Sequence, residues 1–183
     1  VEKYKFRKYD SKYVNLFNLE KERLFEIVKL FDPNVKVEHI GSTAVPGLGG
    51  KGIVDVFVGI SKNVFNDKIK FDNIKQALID NDYDFREKAS FPERLFFRKD
   101  YTYENLSGNI ETKGRVHVHL VEFGVDEWNN VIRFRDVLRG NKSVLEQYVK
   151  IKQEAVKYAQ GEGEKYREYK KGFIEEIKKK IKD

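Results

Sequence analysis

Asp55 stands alone as a charge in the apolar run Ile53-Val-Asp-Val-Phe-Val58. A carboxylate in such a place can hold a divalent cation or take a proton. On a strand, Ile53, Asp55 and Phe57 share one face and Val54, Val56 and Val58 the other. The valine face is expected to pack on helices. The Asp55 face must reach something polar, because an unpaired buried carboxylate is costly. A purely structural Asp, hydrogen-bonded to the turn at 41–50, is the alternative. The chain has three histidines, His39, His117 and His119. His117 and His119 are two apart in a strand-like run, so both rings point the same way. Such a pair can share a metal, or one ring can hold a phosphate while the other moves a proton. Glu122 falls on the opposite face of that run.

Between the first strand-like run and Asp55 lies a glycine-rich turn. Gly41 lets a phosphate approach the backbone, and the Ser42 hydroxyl and nearby amides can donate to it. Lys51 adds a point charge four residues before Asp55. A tight connection that needs glycine for its dihedrals is the competing explanation, and Pro46-Gly47 suits it. Two familiar motifs fail. Gly47, Gly49 and Gly52 satisfy G-x-G-x-x-G but precede a strand, where the dinucleotide mechanism requires a helix N-terminus. A P-loop would need Ser or Thr after Lys51 and Gly at position 45; Gly52 and Val45 stand there. Among the arginines, Arg94 and Arg98 share a strand face, and Arg133, Arg135 and Arg139 gather toward the end of a helix. Their forks suit phosphate oxygens, although Arg135-Asp136 fits an ion pair equally well. The Lys178-Lys-Lys180 run reads as a solvated face.

The elements that must position these residues follow from periodicity. Residues 12–31 form a helix with Val14, Phe17, Leu24, Ile27, Val28 and Phe31 at three- and four-residue steps, ended by Asp32-Pro33-Asn34. Residues 35–40 and 53–60 are strands, the second buried. Residues 64–81 form a helix with Ile69, Ile74, Leu78 and Ile79 inward. Tyr83-Asp84-Phe85 opens a strand, and 94–99 and 116–123 are two more, joined by a polar loop over 102–114 with Gly108 and Gly114. Everything after Asp126 is helical: Asp126 caps 128–139, Ser143-Val-Leu-Glu146 forms a capping box for the helix through Tyr158, Gly161-Glu-Gly163 breaks the chain, and 164–182 is a last amphipathic helix. This order argues an α+β (α/β) fold, one domain over 1–183, with a sheet core at about 35–123 and a C-terminal helical part at about 126–182.

The 183 residues are 40% hydrophobic and 36% charged, which suffices for a core under a well-solvated surface. The net charge of +6 suits anionic partners. Its spread along the chain, without an RNP-like aromatic motif, disfavours nucleic acid. With no cysteine, disulfides, thiolate metal sites and a cysteine nucleophile are excluded. No apolar run approaches the ~20 residues that span a bilayer. No signal peptide is legible at the charged, aromatic start, so the cytoplasm is the expected compartment.

Taken together, His39-Ile-Gly-Ser-Thr-Ala-Val-Pro-Gly-Leu48, Lys51 and Ile53-Val-Asp55 closely resemble the signature of the GrpB-like (UPF0157) family. So do Arg94 to Arg98, the His117-Val-His119-Leu-Val run, Phe134-Arg-Asp-Val-Leu-Arg139 and Tyr148 to Lys152. The match runs in the family's order over about residues 10–175. It departs at Gly49-Gly50 and Gly52, where the family commonly has small residues such as Ala and then a Pro; the extra glycines suggest a looser turn. That family looks like a branch of the nucleotidyltransferase superfamily. The resemblance implies a polymerase-β-like palm, a mixed sheet flanked by helices, and Mg²⁺ or Mn²⁺. The superfamily hallmark, Gly-Ser and then an acidic pair, matches Gly41-Ser42 and Asp55, but the second acid should be residue 57, which is Phe.

Two-metal transfer needs carboxylates bridging both ions. The expected repair places His117 and His119 where a third carboxylate would be, so that Asp55, His117 and His119 form the catalytic and metal-binding set. Gly41, Ser42, Lys51, Arg98 and Arg135 then bind phosphate or nucleotide. The expected activity is metal-dependent transfer of a nucleotidyl or phosphoryl group. The alternative is a module that binds a nucleotide or other phosphorylated small molecule without turnover. The resemblance also implies fusion of such domains to dephospho-CoA kinase in some bacteria, a link to coenzyme A or nucleotide metabolism.

Overall fold

The computed structural model describes residues 6–104 and 110–182. Its centre is a five-stranded sheet of β1 (Lys36–Ile40), β2 (Ile53–Ile60), β3 (Asp84–Phe85), β4 (Arg94–Glu104) and β5 (Ile110–Glu122), in the order β1-β2-β5-β4-β3. β2 and β5 run parallel; the other neighbours are antiparallel. The architecture is the expected mixed α+β sheet with helices at the C-terminal end.

The valine face behaves as its composition demands. Val54, Val56, Val58 and Ile60 of β2, with Val116, Val118 and Leu120 of β5, pack beneath α1 (Lys12–Val28) and α3 (Lys68–Asp80). Leu24 and Val28 of α1, and Ile74 and Leu78 of α3, are fully buried there. Burying each such side chain contributes about 1.5–3 kcal/mol. A buried acid enters this layer: Glu20 of α1 accepts hydrogen bonds from the hydroxyls of Tyr83, at 2.8 Å, and Tyr101.

The opposite face carries Ile40, Phe57 and Val121 under Trp128 of α4 (Asp126–Gly140). Next to it, α4, α5 (Lys142–Ala159) and α6 (Gly163–Lys182) form a helical layer. Leu138, Tyr148, Phe173 and Ile174 of that layer close over Val45 and Leu48 of the turn. The C-terminal helices are therefore packed onto the segment that precedes Asp55. Among the described residues, no helix is long and apolar enough to cross a membrane.

Several local expectations change. The helix expected over 64–81 divides into α2 (Lys62–Phe65) and α3, because Asp67 leaves the helical conformation to accept from Lys70 N at 3.1 Å. Ile69 and Ile79 face outward, as does Val14 of α1. The first helix stops at Val28. α4 begins at Asp126 itself with Val125 as its cap, and α5 is capped by Asn141, whose Oδ1 accepts from Val144 N at 3.1 Å, in place of a Ser143 capping box. The polar loop expected over 102–114 is mostly strand: β4 continues to Glu104 and β5 starts at Ile110, Gly114 pairing with Tyr101. Antiparallel ladder bonds carry the two strands past the core, where apolar patterning gives no signal. Gly108 lies outside the described residues.

Candidate functional site

The site starts from the register of β1 on β2, which sets Ile40 opposite Asp55. Gly41 therefore turns the chain directly beside the Asp55 carboxylate. Its φ is +70°, and a Cβ there would lie 2.4 Å from Asp55 Oδ2, so a side chain is excluded twice over. A single 3₁₀ turn over Ser42–Ala44 follows. The Thr43 hydroxyl donates to the Ile53 carbonyl at 3.1 Å and lies 3.0 Å from His39 Nε2. Since the hydroxyl proton goes to Ile53, His39 must be the donor, which places the proton of the neutral ring on Nε2. Burial and the nearby Arg139 lower the His39 pKa to about 4. With its ring stacked on Phe17 at 4.5 Å, His39 ties the turn to α1 from the face opposite Asp55.

Across the parallel β2–β5 pair, Asp55 is in register with His117, and His117 Nδ1 sits 3.2 Å from Asp55 Oδ1. Both side chains are about a quarter exposed, at 27% for Asp55 and 23% for His117. His119 is two residues further along the same face, in register with Phe57. Its ring lies against Phe57 and Phe96, with centroids at 5.8 and 5.0 Å. Its Nδ1 is buried without a hydrogen-bond partner, and burial lowers its pKa to about 4. Phe57, at the position of the missing acid, is sealed under Trp128 with ring centroids 5.5 Å apart.

Asp55 and His117 thus meet, while His119 belongs to an aromatic layer. Among the described residues, no three His, Cys, Asp or Glu side chains come together as a metal-ligating group. Asp55, His117 and His119 do not form the expected ligand set. One Asp55 oxygen lies against Gly41 and the other on His117, which leaves a poor donor set for an ion that demands several oxygens.

The phosphate-binding expectations divide in the same way. Arg98, in register with His117 on β4, is about a third exposed and is flanked by Asp84 and Asp100, each at 3.7 Å. Arg135 of α4 is buried, and its donors go to Glu38 at 2.7 Å, Asp136 at 2.8 Å and the His39 carbonyl at 2.8 Å. That network anchors α4 to β1. The turn glycines are close-packed, not loose: Gly49 abuts Phe6 and Arg7, and Gly52 abuts the Tyr13 hydroxyl. Arg7 pairs with Gly50 through two backbone hydrogen bonds of 2.7 and 2.8 Å.

Two lysines that the sequence did not mark as site residues, Lys152 and Lys170, join Lys51 within the field of Asp55. Lys152 of α5 is 3% exposed and donates to the Gly49 carbonyl. A Cβ on Gly50 would lie 2.5 Å from Ser42 Oγ and 2.8 Å from Lys152 Nζ, so these two groups flank Gly50 closely. From α6, Lys170 places Nζ 4.0 Å from the centroid of the buried Tyr166 ring, and Lys51 lies 6.0 Å from the same centroid. Burial, then repulsion from Lys170, lowers Lys152 to about 7; burial, then repulsion from Lys51, lowers Lys170 to about 8. Arg167 adds to the repulsion on Lys170 and on Lys51, which burial also lowers. Among the described residues, Asp55 is the acid whose field opposes these shifts in all three lysines. The signal was available. Tyr148, Lys152, Ala155 and Ala159 form the buried stripe of α5, and Tyr166, Lys170, Phe173 and Ile177 have the same spacing in α6. Each stripe carries one lysine where packing alone would place a hydrophobe.

Comparison with known proteins places this geometry in a family. The glutamate-rich protein GrpB of Alkalihalophilus pseudofirmus is 31% identical over 164 residues, covering 88% of this chain and 86% of that one. The crystal structure of the conserved protein GrpB from Enterococcus faecalis superposes with a TM-score of 0.76 at 28% identity, over 97% of this chain and 96% of that one. A more distant likeness in fold runs to polymerase β of Leishmania infantum, with a TM-score of 0.45 at 15% identity, over 84% of this chain and 54% of that one. The family model described as GrpB protein matches residues 3–180, and the chain belongs to the GrpB family.

Proposed function

We propose that this GrpB-family chain has a cleft between the Gly41–Ser42 turn and helices α5 and α6, and that it binds there a nucleotide or another small molecule carrying a phosphate chain. The observation that carries this reading is a charge imbalance. Lys51, Lys152 and Lys170 outnumber Asp55 there, and the exposed Arg167 adds to the repulsion on Lys51 and Lys170. Burying like charges together is expensive, and two of these lysines sit in stripes that packing would fill with apolar side chains. A multivalent anion relieves the repulsion, and ammonium groups with a serine hydroxyl are suitable donors to phosphate oxygens. The test is thermal unfolding with and without ATP, GTP and inorganic tripolyphosphate. A bound anion should raise the melting temperature in proportion to occupancy, and Lys152→Met with Lys170→Met should remove that rise. Equal melting with and without every one of these anions would refute the reading.

A second reading, transfer of the nucleotidyl or phosphoryl group, is favoured by the Asp55–His117 contact beside the turn. An acceptor hydroxyl entering there could lose its proton to this pair as it attacks phosphorus, in line with the leaving phosphate. The sealed position of Phe57 favours binding without turnover. Labelled nucleoside triphosphate with candidate acceptors separates the two: transfer requires product that Asp55→Asn abolishes while ligand binding persists.

A further inference from the structure

The proposed cleft has the charge of an anion receptor and, among the described residues, lacks the donors of a metal cage. Asp55 is the acid whose field reaches Lys51, Lys152 and Lys170 alike, and the position two residues on is a buried phenylalanine. A divalent ion at Asp55 would stand among Lys51, Lys152 and Lys170, all within the field of that carboxylate. Like charges at such range repel strongly in a partly desolvated site.

We infer that the cleft takes a linear phosphate chain without a divalent cation, the lysine ammonium groups of the turn, α5 and α6 supplying the charge that metal ions would otherwise bring. This rests on the phosphate-binding reading above and goes beyond it, because it inverts the role of Asp55. In a metal-dependent site the carboxylate recruits the ligand by holding its ion. In a metal-free site the same carboxylate repels the ligand, and its function is to hold His117 and to keep the lysines charged while the cleft is empty.

The two roles give opposite signs in one experiment. Inorganic tripolyphosphate is titrated by calorimetry into the wild-type chain and Asp55→Asn, each in excess chelator and in excess Mg²⁺ or Mn²⁺. The measurements are made at about pH 6, below the value of about 7 to which Lys152 is lowered, so that the lysines stay protonated. Wild type is expected to bind in chelator at least as tightly as with metal, since a metal-bound phosphate chain carries less negative charge. Asp55→Asn should tighten binding about three- to tenfold, the effect of removing one repelling charge at roughly 8 Å in a medium between protein and water. Binding that requires Mg²⁺ or Mn²⁺, or that Asp55→Asn weakens, overturns the inference and leaves the phosphate site standing. The chelator arm decides the matter on wild type alone should the variant fold poorly. Absence of binding in every arm overturns the phosphate site, and the inference with it.

Discussion

Replacing Lys152 by methionine should stabilise the empty protein and disable it for anions. Lys152 is 3% exposed, and its pKa is lowered from 10.5 to about 7. In the unfolded chain the ammonium titrates at its ordinary value. Between pH 7 and 10.5 the unfolded state therefore holds a proton that the folded state has released, and stability rises with pH. The sign is that of a penalty: complete below about pH 7, fading as pH climbs to 10.5. Integrated at neutral pH, the lowering from 10.5 to about 7 costs on the order of 4 kcal/mol. Methionine has similar length and no charge, so it removes that cost. It also leaves the Gly49 carbonyl without its donor, a loss of about 1–3 kcal/mol. The net gain near pH 7 is about 1–3 kcal/mol, and it should shrink and reverse toward pH 10.5. Urea denaturation of both proteins across that range measures the difference directly; Lys170 contributes to both curves and largely cancels. A Lys152→Met protein less stable than wild type at pH 7, with an unchanged pH slope, would refute the reasoning.

Gly41→Ala should cost on the order of 2–4 kcal/mol, from a positive φ and a clash with Asp55, and should lower the melting temperature accordingly. Arg135→Met should destabilise by about 2–4 kcal/mol, because Arg135 is a buried clamp between α4 and β1, yet leave ATP affinity within about twofold when measured below the melting range. A selective loss of affinity would instead return Arg135 to the ligand. Anion binding should take up protons between about pH 7 and 9, since a phosphate beside Lys152 and Lys170 raises both pKa values from about 7 and 8. Calorimetric enthalpies that vary with buffer ionisation heat, in the direction of uptake, check this. Enthalpies independent of buffer would contradict it.

Much of the scaffold was legible because period-two and period-3.6 patterns report burial. The valines of β2 faced α1 and α3 as their alternation required, and Asp55 faced away. Where the chain leaves the core the patterns fall silent, as in the long β4–β5 ladder. Asp67 also outweighed a continuous helical pattern, because a cap is a local bond that periodicity does not see. In the site, the pairing of Asp55 with His117 followed from two strand faces and needed only the strands to be neighbours. His119 separated from them because a ring two residues along a strand moves roughly 7 Å, here far enough to lie between phenylalanines. Lys152 and Lys170 were hidden by the number of lysines in the chain. Identifying them required asking which lysines interrupt an apolar stripe, the same question that had singled out Asp55. Arg135 looked like a phosphate ligand by type, but Glu38 and the His39 carbonyl, 97 and 96 residues away in sequence, had claimed its donors.

Calorimetric titration of ATP into wild-type protein and Lys170→Met bears most directly on the anion-receiving cleft. Saturable binding by wild type, weakened about tenfold or more in the variant through loss of one charge-assisted contact, is the expected result. Equal affinity in the two proteins, or no heat of binding to wild type, would contradict it.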